Sequence, residues 1–494
     1  MTRVGARNRL CALPPTVQQE FYNMTAELVA RPAWALQDYL AARAGRLHVS
    51  GADATGLVRA HGSPLYVFSA PRIRANVARL LRAAAAVQHP VRFFYASKAN
   101  SNMAVLAEVR AAGIDIEVNS GGELYKALRA GFRPEQIIFN GTSKTDEELD
   151  EAVRAGILSI NVDSLYEIGL VAAAARRQGR RANVTLRLVP EIGTRSHIGL
   201  QTALLTSKFG LTSAEVLDAC RRTLSYCDLL RLRGVHIHVG SQTPDVEPFA
   251  AAFKTMWEHL VALQRETGHT LEHINLGGGI PVNYLRDRTQ AADFPAEERD
   301  MLGADLEPTE VLAAALAVAR TSAQAAGAAH LLERVTVLLE PGRSVIADAG
   351  TVLTTVRNIK QRPETGDAWL LTDAGFNLLL SMVSYKWYYQ LIAAARADAP
   401  HDTPYKVAGP LCDSGDVYFD IEGGGRLPDY RLLPAGITPG EVLALLNTGA
   451  YTLAQAFPYN GRPLPAAVMV HEGGRVAVAR KRDTYEDLLT NEVW

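Results

Sequence analysis

The side chains of this chain that could do chemistry stand in a few short stretches. Lys98 closes an apolar, aromatic run, Val91-Arg92-Phe93-Phe94-Tyr95-Ala96-Ser97, and is followed by Ala99-Asn100. A run of that composition is strand-forming and sets one primary amine at the strand's carboxyl end. Such an amine is either a solvated charge whose flexible stem lets it reach water, or a nucleophile that carries a carbonyl compound as a Schiff base. His236 and His238, in Gly234-Val235-His236-Ile237-His238, are two apart and share one face of a strand. That spacing suits two ligands of a metal-dependent hydrolase, two satisfied core histidines, or a ring lying against a flat cofactor with His238 nearer the strand end. Gly277-Gly278-Gly279 lets the backbone approach a ligand and aim N–H groups at an anion, or simply makes a tight turn; Gly240-Ser241 could add a hydroxyl to the same group. In Glu340-Pro341-Gly342-Arg343 a buried carboxylate facing a heteroaromatic nitrogen would keep it protonated and make the ring an electron sink, with a barrel-floor salt bridge as the structural alternative. Cys412-Asp413-Ser414-Gly415-Asp416 puts a thiol that could deliver a proton beside a carboxylate, although free cysteines are commonly inert.

These residues need elements to position them. Short β-branched runs at Val91–Lys98, Ile114–Asn119, Gln136–Asn140, Ser159–Val162, Val184–Val189, Gly234–Val239, His273–Leu276 and Val335–Glu340 alternate with helical stretches, among them 102–112, 121–130, 146–155, 165–178, 213–225 and 248–267. The pattern predicts an α/β fold with a (β/α)8 TIM-like barrel over residues 71–343; a doubly wound open sheet also alternates in this way, but the strand count favours closure. A barrel puts its active site at the carboxyl ends of its strands. Those ends carry Lys98, Asn119-Ser120, Asn140-Gly141, Asp163, Pro190-Glu191, His238 to Ser241, Gly277 to Gly279 and Glu340 to Arg343, which identifies the barrel as an enzyme. Residues 344–494, rich in turns between short β runs, predict a mainly β domain with a helical insert at 378–397. Residues 46–70 predict a strand region packing with that domain, and residues 1–45 a helical extension, amphipathic over 16–29 and 33–44.

Composition narrows the function. A chain of 494 residues with 48% hydrophobic residues has enough apolar material for two domains. A net charge of -1, without basic runs framed by aromatics, argues against nucleic acid. No apolar segment reaches the roughly 18 to 20 residues a membrane helix needs, and the first residues lack an apolar signal core. Cys11, Cys220, Cys227 and Cys412 show no CxxC or zinc spacing. A cytoplasmic location with no membrane partner is the expectation.

Taken together, Phe94-Tyr95-Ala96-Ser97-Lys98-Ala99-Asn100, Ser120-Gly121-Gly122-Glu123-Leu124, Ser207-Lys208-Phe209-Gly210, His238-Val239-Gly240-Ser241, Leu276-Gly277-Gly278-Gly279, Glu340-Pro341-Gly342-Arg343, Gly409-Pro410-Leu411-Cys412-Asp413-Ser414-Gly415-Asp416 and Gly449-Ala450-Tyr451-Thr452 resemble, in order, the fold-type III pyridoxal 5'-phosphate (PLP) decarboxylases, the family of diaminopimelate and ornithine decarboxylases. The resemblance spans about residues 60 to 475. It implies that Lys98 forms the Schiff base with PLP, His238 stacks on the ring, Glu340 pairs with the pyridine nitrogen, and Ser241, Gly277, Gly278, Gly279 and Tyr451 hold the phosphate. It also puts Gly342 beside the cofactor and turns Arg343 toward the phosphate or a substrate carboxylate. Cys412 of a partner subunit becomes the proton donor, so that a homodimer shares its sites, and the amino-acid substrate meets Arg343, Ser381, Tyr385, Asp413 and Tyr451.

The departures from the family pattern concern substrate. Diaminopimelate decarboxylases carry Glu where this chain has Asp413, and an arginine four residues before the tyrosine that matches Tyr385, where this chain has Ser381. A distal carboxylate loses a bidentate partner there, which disfavours meso-diaminopimelate and points to another diamino acid or a larger, carrier-linked derivative. Glu117 stands where the family has Asp. A PLP-dependent racemase would leave Cys412-Asp413 unexplained, a catalytically dead homologue would leave Lys98 and Cys412 unexplained, and the metal-dependent hydrolase would use His236 and His238.

Overall fold

A computed structural model describes residues 32–494 except 37, 38, 190 and 287. Eight parallel strands close on themselves: β1 (Val91–Ala96), β2 (Asp115–Val118), β3 (Ile137–Phe139), β4 (Ser159–Val162), β5 (Ala182–Val189), β6 (Leu230–His236), β7 (His273–Asn275) and β8 (Thr336–Leu339). Each pairs with the next, and Val337 of β8 pairs with Val91 of β1 to complete the ring. Caps written into the sequence fix the crossover helices. Ser120 caps Gly121–Arg129 by accepting from the Glu123 amide, and Thr145 and Glu148 cap Asp146–Ala155 reciprocally. Because β1 stops at Ala96, Lys98 rides on a short turn, Ser97–Ala99, lifted off the sheet.

The second domain is organised on the strand Gly350–Arg362, which pairs antiparallel with Leu65–Ser69, Asp367–Thr372 and Val442–Leu446. Leu65–Ser69 also pairs parallel with Ala466–Val470, so residues 65–69 belong to the β domain.

Several expectations give way. Instead of a helix over 33–44, Leu40–Arg43 pairs with Arg46–Val49 in a hairpin that turns at Ala44 (φ 49) and Gly45 (φ 77). Helical propensity yields because the hairpin buries Leu40, Leu47 and Val49 against Leu353 and Val468, at about 1.5–3 kcal/mol for each large side chain. The stretch 16–29, like Cys11, lies outside the described residues. Within 46–70 a helix, Ala54–His61, capped by Asp53, interrupts the expected strands. The helical insert at 378–397 is one turn, Ser381–Ser384, ended where Lys386 takes φ 52, and Leu391–Ala393 joins the sheet against Leu443–Leu445. The mainly β domain is entered through two helical turns, Arg343–Ile346 and Ala347–Ala349, before the strand Gly350–Arg362 begins. Helices Ala296–Leu302 and Pro308–Ala325 occupy the interval between β7 and β8 and continue the strand–helix alternation. The sixth strand begins at Leu230 and ends at His236, short of Val239.

Candidate active site

The barrel interior is layered from apolar base to polar mouth. Phe94, Ile138, Leu158 and Leu338 form a closed cluster. Above it Ser159 Oγ meets Thr185 Oγ1 at 2.7 Å, and Thr185 Oγ1 meets His273 Nε2 at 2.8 Å. The next layer is made of amides and acids: Asn161 Nδ2 donates to Asn140 Oδ1 (2.6 Å), and Asn140 Nδ2 donates to both Glu117 Oε1 (2.8 Å) and Glu340 Oε2 (2.9 Å). Asn275 Nδ2 donates to Glu340 Oε1 at 2.8 Å. Carboxylates this deep cost several kcal/mol each unless such donors meet them.

The two acids diverge. Burial and the neighbouring Glu340 charge push Glu117 up, against the pull of Lys98, and its Oε2 has no partner among the described residues. Burial also opposes ionisation of Glu340, but His236, Lys98 and Asn275 outweigh it and hold this carboxyl below the usual range. One carboxyl therefore holds a proton more readily while its neighbour stays ionised, the separation expected of acid–base sites. Lys98 is exposed where β1 ends, yet it lies near enough to both acids to feel their charges. Burial lowers its proton affinity, Glu117, Tyr451 and Glu340 raise it more, and the amine ends above its ordinary value.

Around Lys98 the strand ends converge. The Gly278 amide donates to His238 Nδ1 at 3.0 Å, which orients the imidazole and leaves its neutral tautomer with hydrogen on Nε2. Burial and nearby Lys98 keep His238 well below the usual histidine range. The glycines are there for close approach: a Cβ on Gly277 would lie 2.7 Å from the Ile237 carbonyl oxygen, and one on Gly278 2.5 Å from that of Glu340. The Gly277 and Gly278 amides are spent on Asn275 and His238, so the glycine run does not offer three N–H groups to an anion; Gly279's amide has no protein acceptor among the described residues. Gly342 packs on the Lys98 turn, where a Cβ would come 3.1 Å from that of Ala96. The Arg343 guanidinium donates to Ser241 Oγ from Nε and Nη2 (3.2 Å each) and to Tyr284 Oη (2.9 Å), and lies over the rings of Trp387 (4.4 Å) and Tyr451 (4.9 Å). Among the described ion pairs it has no carboxylate partner. A buried guanidinium held only by hydroxyls and rings is a receptor for an anion.

Other expected residues lie apart. Tyr385 meets His197 edge-on at 5.4 Å, at the loop that follows β5. Ser381 is buried, its carbonyl taken by the amides of Tyr385 and Trp387. Cys412 and Asp413 are exposed and make no hydrogen bond to the mouth of their own chain; the Cys412 amide donates to Asn460, and Asp416, pushed up to about 6 by burial, anchors the loop through the Leu411 and Phe376 amides. Asn275 and Tyr284 lack a motif of their own and carried no expectation from the sequence, whereas Asn140 stood out there only as a strand end. Parity could have found Asn275, two residues before Gly277 on an inward-facing strand. The metal alternative lacks ligands: among the described residues no group of three His, Cys, Asp or Glu could hold a metal ion, and His238 Nδ1 is already occupied.

PLP fits what is present. Lys98 offers the amine, the imidazole face of His238 a platform, ionised Glu340 a partner for a ring N–H, and Arg343 with Ser241 an anion receptor. Residues 74–347 match the family described as pyridoxal-dependent decarboxylase, pyridoxal binding domain. The chain is 35% identical over 452 residues to the diaminopimelate decarboxylase of Methanothermobacter thermautotrophicus (91% of this chain, 96% of the relative) and 33% identical over 448 residues to that of Bacillus subtilis (90% and 94%). The crystal structure of diaminopimelate decarboxylase from Methanocaldococcus jannaschii in complex with L-lysine superposes with a TM-score of 0.79 at 30% identity, covering 92% of this chain and 98% of the other. A lysine/ornithine decarboxylase from Vibrio vulnificus, at 23% identity and a TM-score of 0.65, shares the fold. With the barrel, the lysine at its mouth and these relatives in agreement, the chain belongs to the pyridoxal-dependent decarboxylases.

Proposed function

We propose that this enzyme removes the α-carboxylate of a diamino acid, with diaminopimelate as the leading substrate and a homodimer as the working unit. The observation that carries the reading is the convergence of Lys98, ionised Glu340 and an Arg343 guanidinium without a carboxylate partner among the described residues at the carboxyl end of the barrel. Bound at Lys98, PLP supplies an electron sink for the pair released as CO2 leaves. The protein's own work is positional. Glu340 holds a proton at the ring nitrogen, His238 covers the ring's face, and Arg343 and Ser241 receive an anion. Lys98 would hold the cofactor through its amine, and Glu117, whose charge reaches that amine, could take or return its proton. Exposed Cys412 of a second copy would return a proton to the α-carbon, which is why the homodimer belongs to the proposal.

The expectation that meso-diaminopimelate is disfavoured finds no support among relatives that match nearly end to end. One observation still favours a second substrate, a diamino acid without a distal carboxylate: Ser381 is buried and brings no cation to its position, while exposed Asp413, which accepts from the Gly415 amide and Tyr459 Oη but has no ion-pair partner among the described residues, would suit an ammonium.

CO2 release from meso-diaminopimelate, lysine, ornithine, arginine and acylated diamino acids tests both. Preference for diaminopimelate supports the first substrate and preference for lysine or ornithine the second. A PLP-loaded enzyme that releases CO2 from none overturns the decarboxylase assignment, and loss of chirality without CO2 would point to a racemase. Mixing Lys98→Ala with Cys412→Ala subunits should restore about a quarter of wild-type activity, since each mixed dimer regains one intact site. No recovery on mixing would sink the shared site.

A further inference from the structure

His236 belongs to the His-x-His pair but has no task in the chemistry above. It is fully buried at the end of β6, with Asn275 of β7 and Arg187 of β5 as its strand partners. Its Nε2 lies 3.4 Å from Glu340 Oε2, and among the described residues neither ring nitrogen has a well-formed hydrogen bond. That separation is a few tenths of an ångström beyond the usual N–H···O range, and a ring held by no other hydrogen bond closes it with a small tilt. Glu340 has room for the donor, since Asn275 serves Oε1, Asn140 serves Oε2, and a carboxylate oxygen accepts more than one N–H.

The surroundings fix the state of the imidazole. Facing it are Glu340 from β8, Arg187 from β5, Lys98 beyond β1, and His273 on β7 with His238 beyond its own strand. Burial acts most strongly and, with the Arg187 and Lys98 charges, outweighs the attraction of Glu340, so the ring is neutral and keeps one N–H. A buried histidine with an unsatisfied nitrogen is a worse core residue than leucine of similar size. Its position is accounted for by what the N–H does.

We propose that His236 is a positioning residue for decarboxylation: its imidazole donates Nε2–H to Glu340 Oε2, stabilising the charge of that carboxylate and keeping it turned toward the ring nitrogen of the cofactor. The proposal rests on the assignment of Glu340 to that nitrogen. It also gives the two histidines of the pair different tasks, His238 the ring's face and His236 its proton.

His236→Leu and His236→Met remove the donor, whereas His236→Gln keeps an amide near the Nε2 position. In the apoenzyme, infrared spectroscopy, with the Glu340 band assigned by its loss in Glu340→Gln, should show the same carboxylate stretch in the wild type and His236→Gln, and in the other two a shifted stretch whose protonation midpoint lies about 1–2 pH units higher. In the loaded enzyme, 15N-labelled PLP should report a protonated ring nitrogen in the first pair and a shift toward the neutral value in the second. The turnover number should fall about 10- to 100-fold in His236→Leu with KM within about twofold, and recover in large part in His236→Gln. Should His236→Leu fail to fold, His236→Met carries the same comparison. Donorless variants with an unshifted Glu340 stretch, an unchanged protonation midpoint and an unshifted ring nitrogen would overturn the proposal and leave His236 as packing. The infrared and 15N readouts need no turnover, so a protein that shows them yet releases no CO2 would sink the decarboxylase assignment and leave this inference standing.

Discussion

Glu340→Gln is the substitution on which most of the site's electrostatics converge. In the wild type each carboxylate oxygen accepts an amide N–H, Oε1 from Asn275 and Oε2 from Asn140, at 2.8 and 2.9 Å. A glutamine keeps the shape but turns one oxygen into NH2, and in either orientation that group faces an existing donor. One charge-assisted bond is lost, about 1.5–3 kcal/mol, while removing a buried charge offsets part of the cost to folding. At the ring nitrogen nothing compensates, because an amide cannot hold the proton there. If the whole contact acts in the transition state, those energies correspond to a turnover roughly 10- to 150-fold slower, with KM little changed. Steady-state CO2 release at saturating substrate measures the turnover, and PLP content by absorbance establishes that the variant is loaded. A fully loaded Glu340→Gln enzyme turning over within about twofold of wild type would refute the assignment of Glu340 to the ring nitrogen.

Lys98→Ala should abolish covalent attachment, and borohydride reduction that still traps PLP on this variant would show that another amine carries it. Gly278→Ala forces a Cβ to 2.5 Å from the Glu340 carbonyl oxygen, which is backbone and cannot swing away, and displaces the amide that orients His238; PLP should dissociate at least about tenfold more readily, as equilibrium dialysis will show. Asp348, away from the cavity, accepts from Arg72 (2.6 Å), Arg286 (2.8 Å) and Asn76 (2.7 Å) and is almost fully buried. Burial opposes its ionisation, but the two guanidinium groups prevail and hold it well below the usual aspartate range. Because the folded value is depressed, its contribution is complete above the unfolded aspartate pKa of about 3.9 and fades as pH falls through the folded value. Asp348→Asn should cost about 3–5 kcal/mol in urea unfolding at neutral pH, with the gap from wild type narrowing only below about pH 4; a gap already closing at pH 6 would show that another group sets it.

Much of the fold was legible because barrel strands carry their information locally. Runs such as Ser159–Val162 and capped helices such as Asp146–Ala155 match the structure to the residue, since buried parallel strands are apolar throughout and helix ends are fixed by Thr145 and Glu148. Elements whose state depends on distant partners were not legible. Leu391–Ala393 is a strand only because Val442–Leu446 lies beside it, and Leu40–Arg43 only because the hairpin packs on Leu353.

The sequence alone determined the motif residues and their order, and so the cofactor and reaction class: Lys98, His238, the glycine run and Glu340 recur at strand ends, and a barrel brings strand ends together whatever its loops do. Only the tertiary structure decided how those residues are charged and aimed. The proton affinities of Glu117 and Glu340 diverge because Asn140 bridges them, Asn275 and His236 attend one of them, and Lys98 stands above both. These contacts join residues up to 200 positions apart. No local pattern encodes them, because desolvation and Coulomb attraction depend on distance in space and not along the chain.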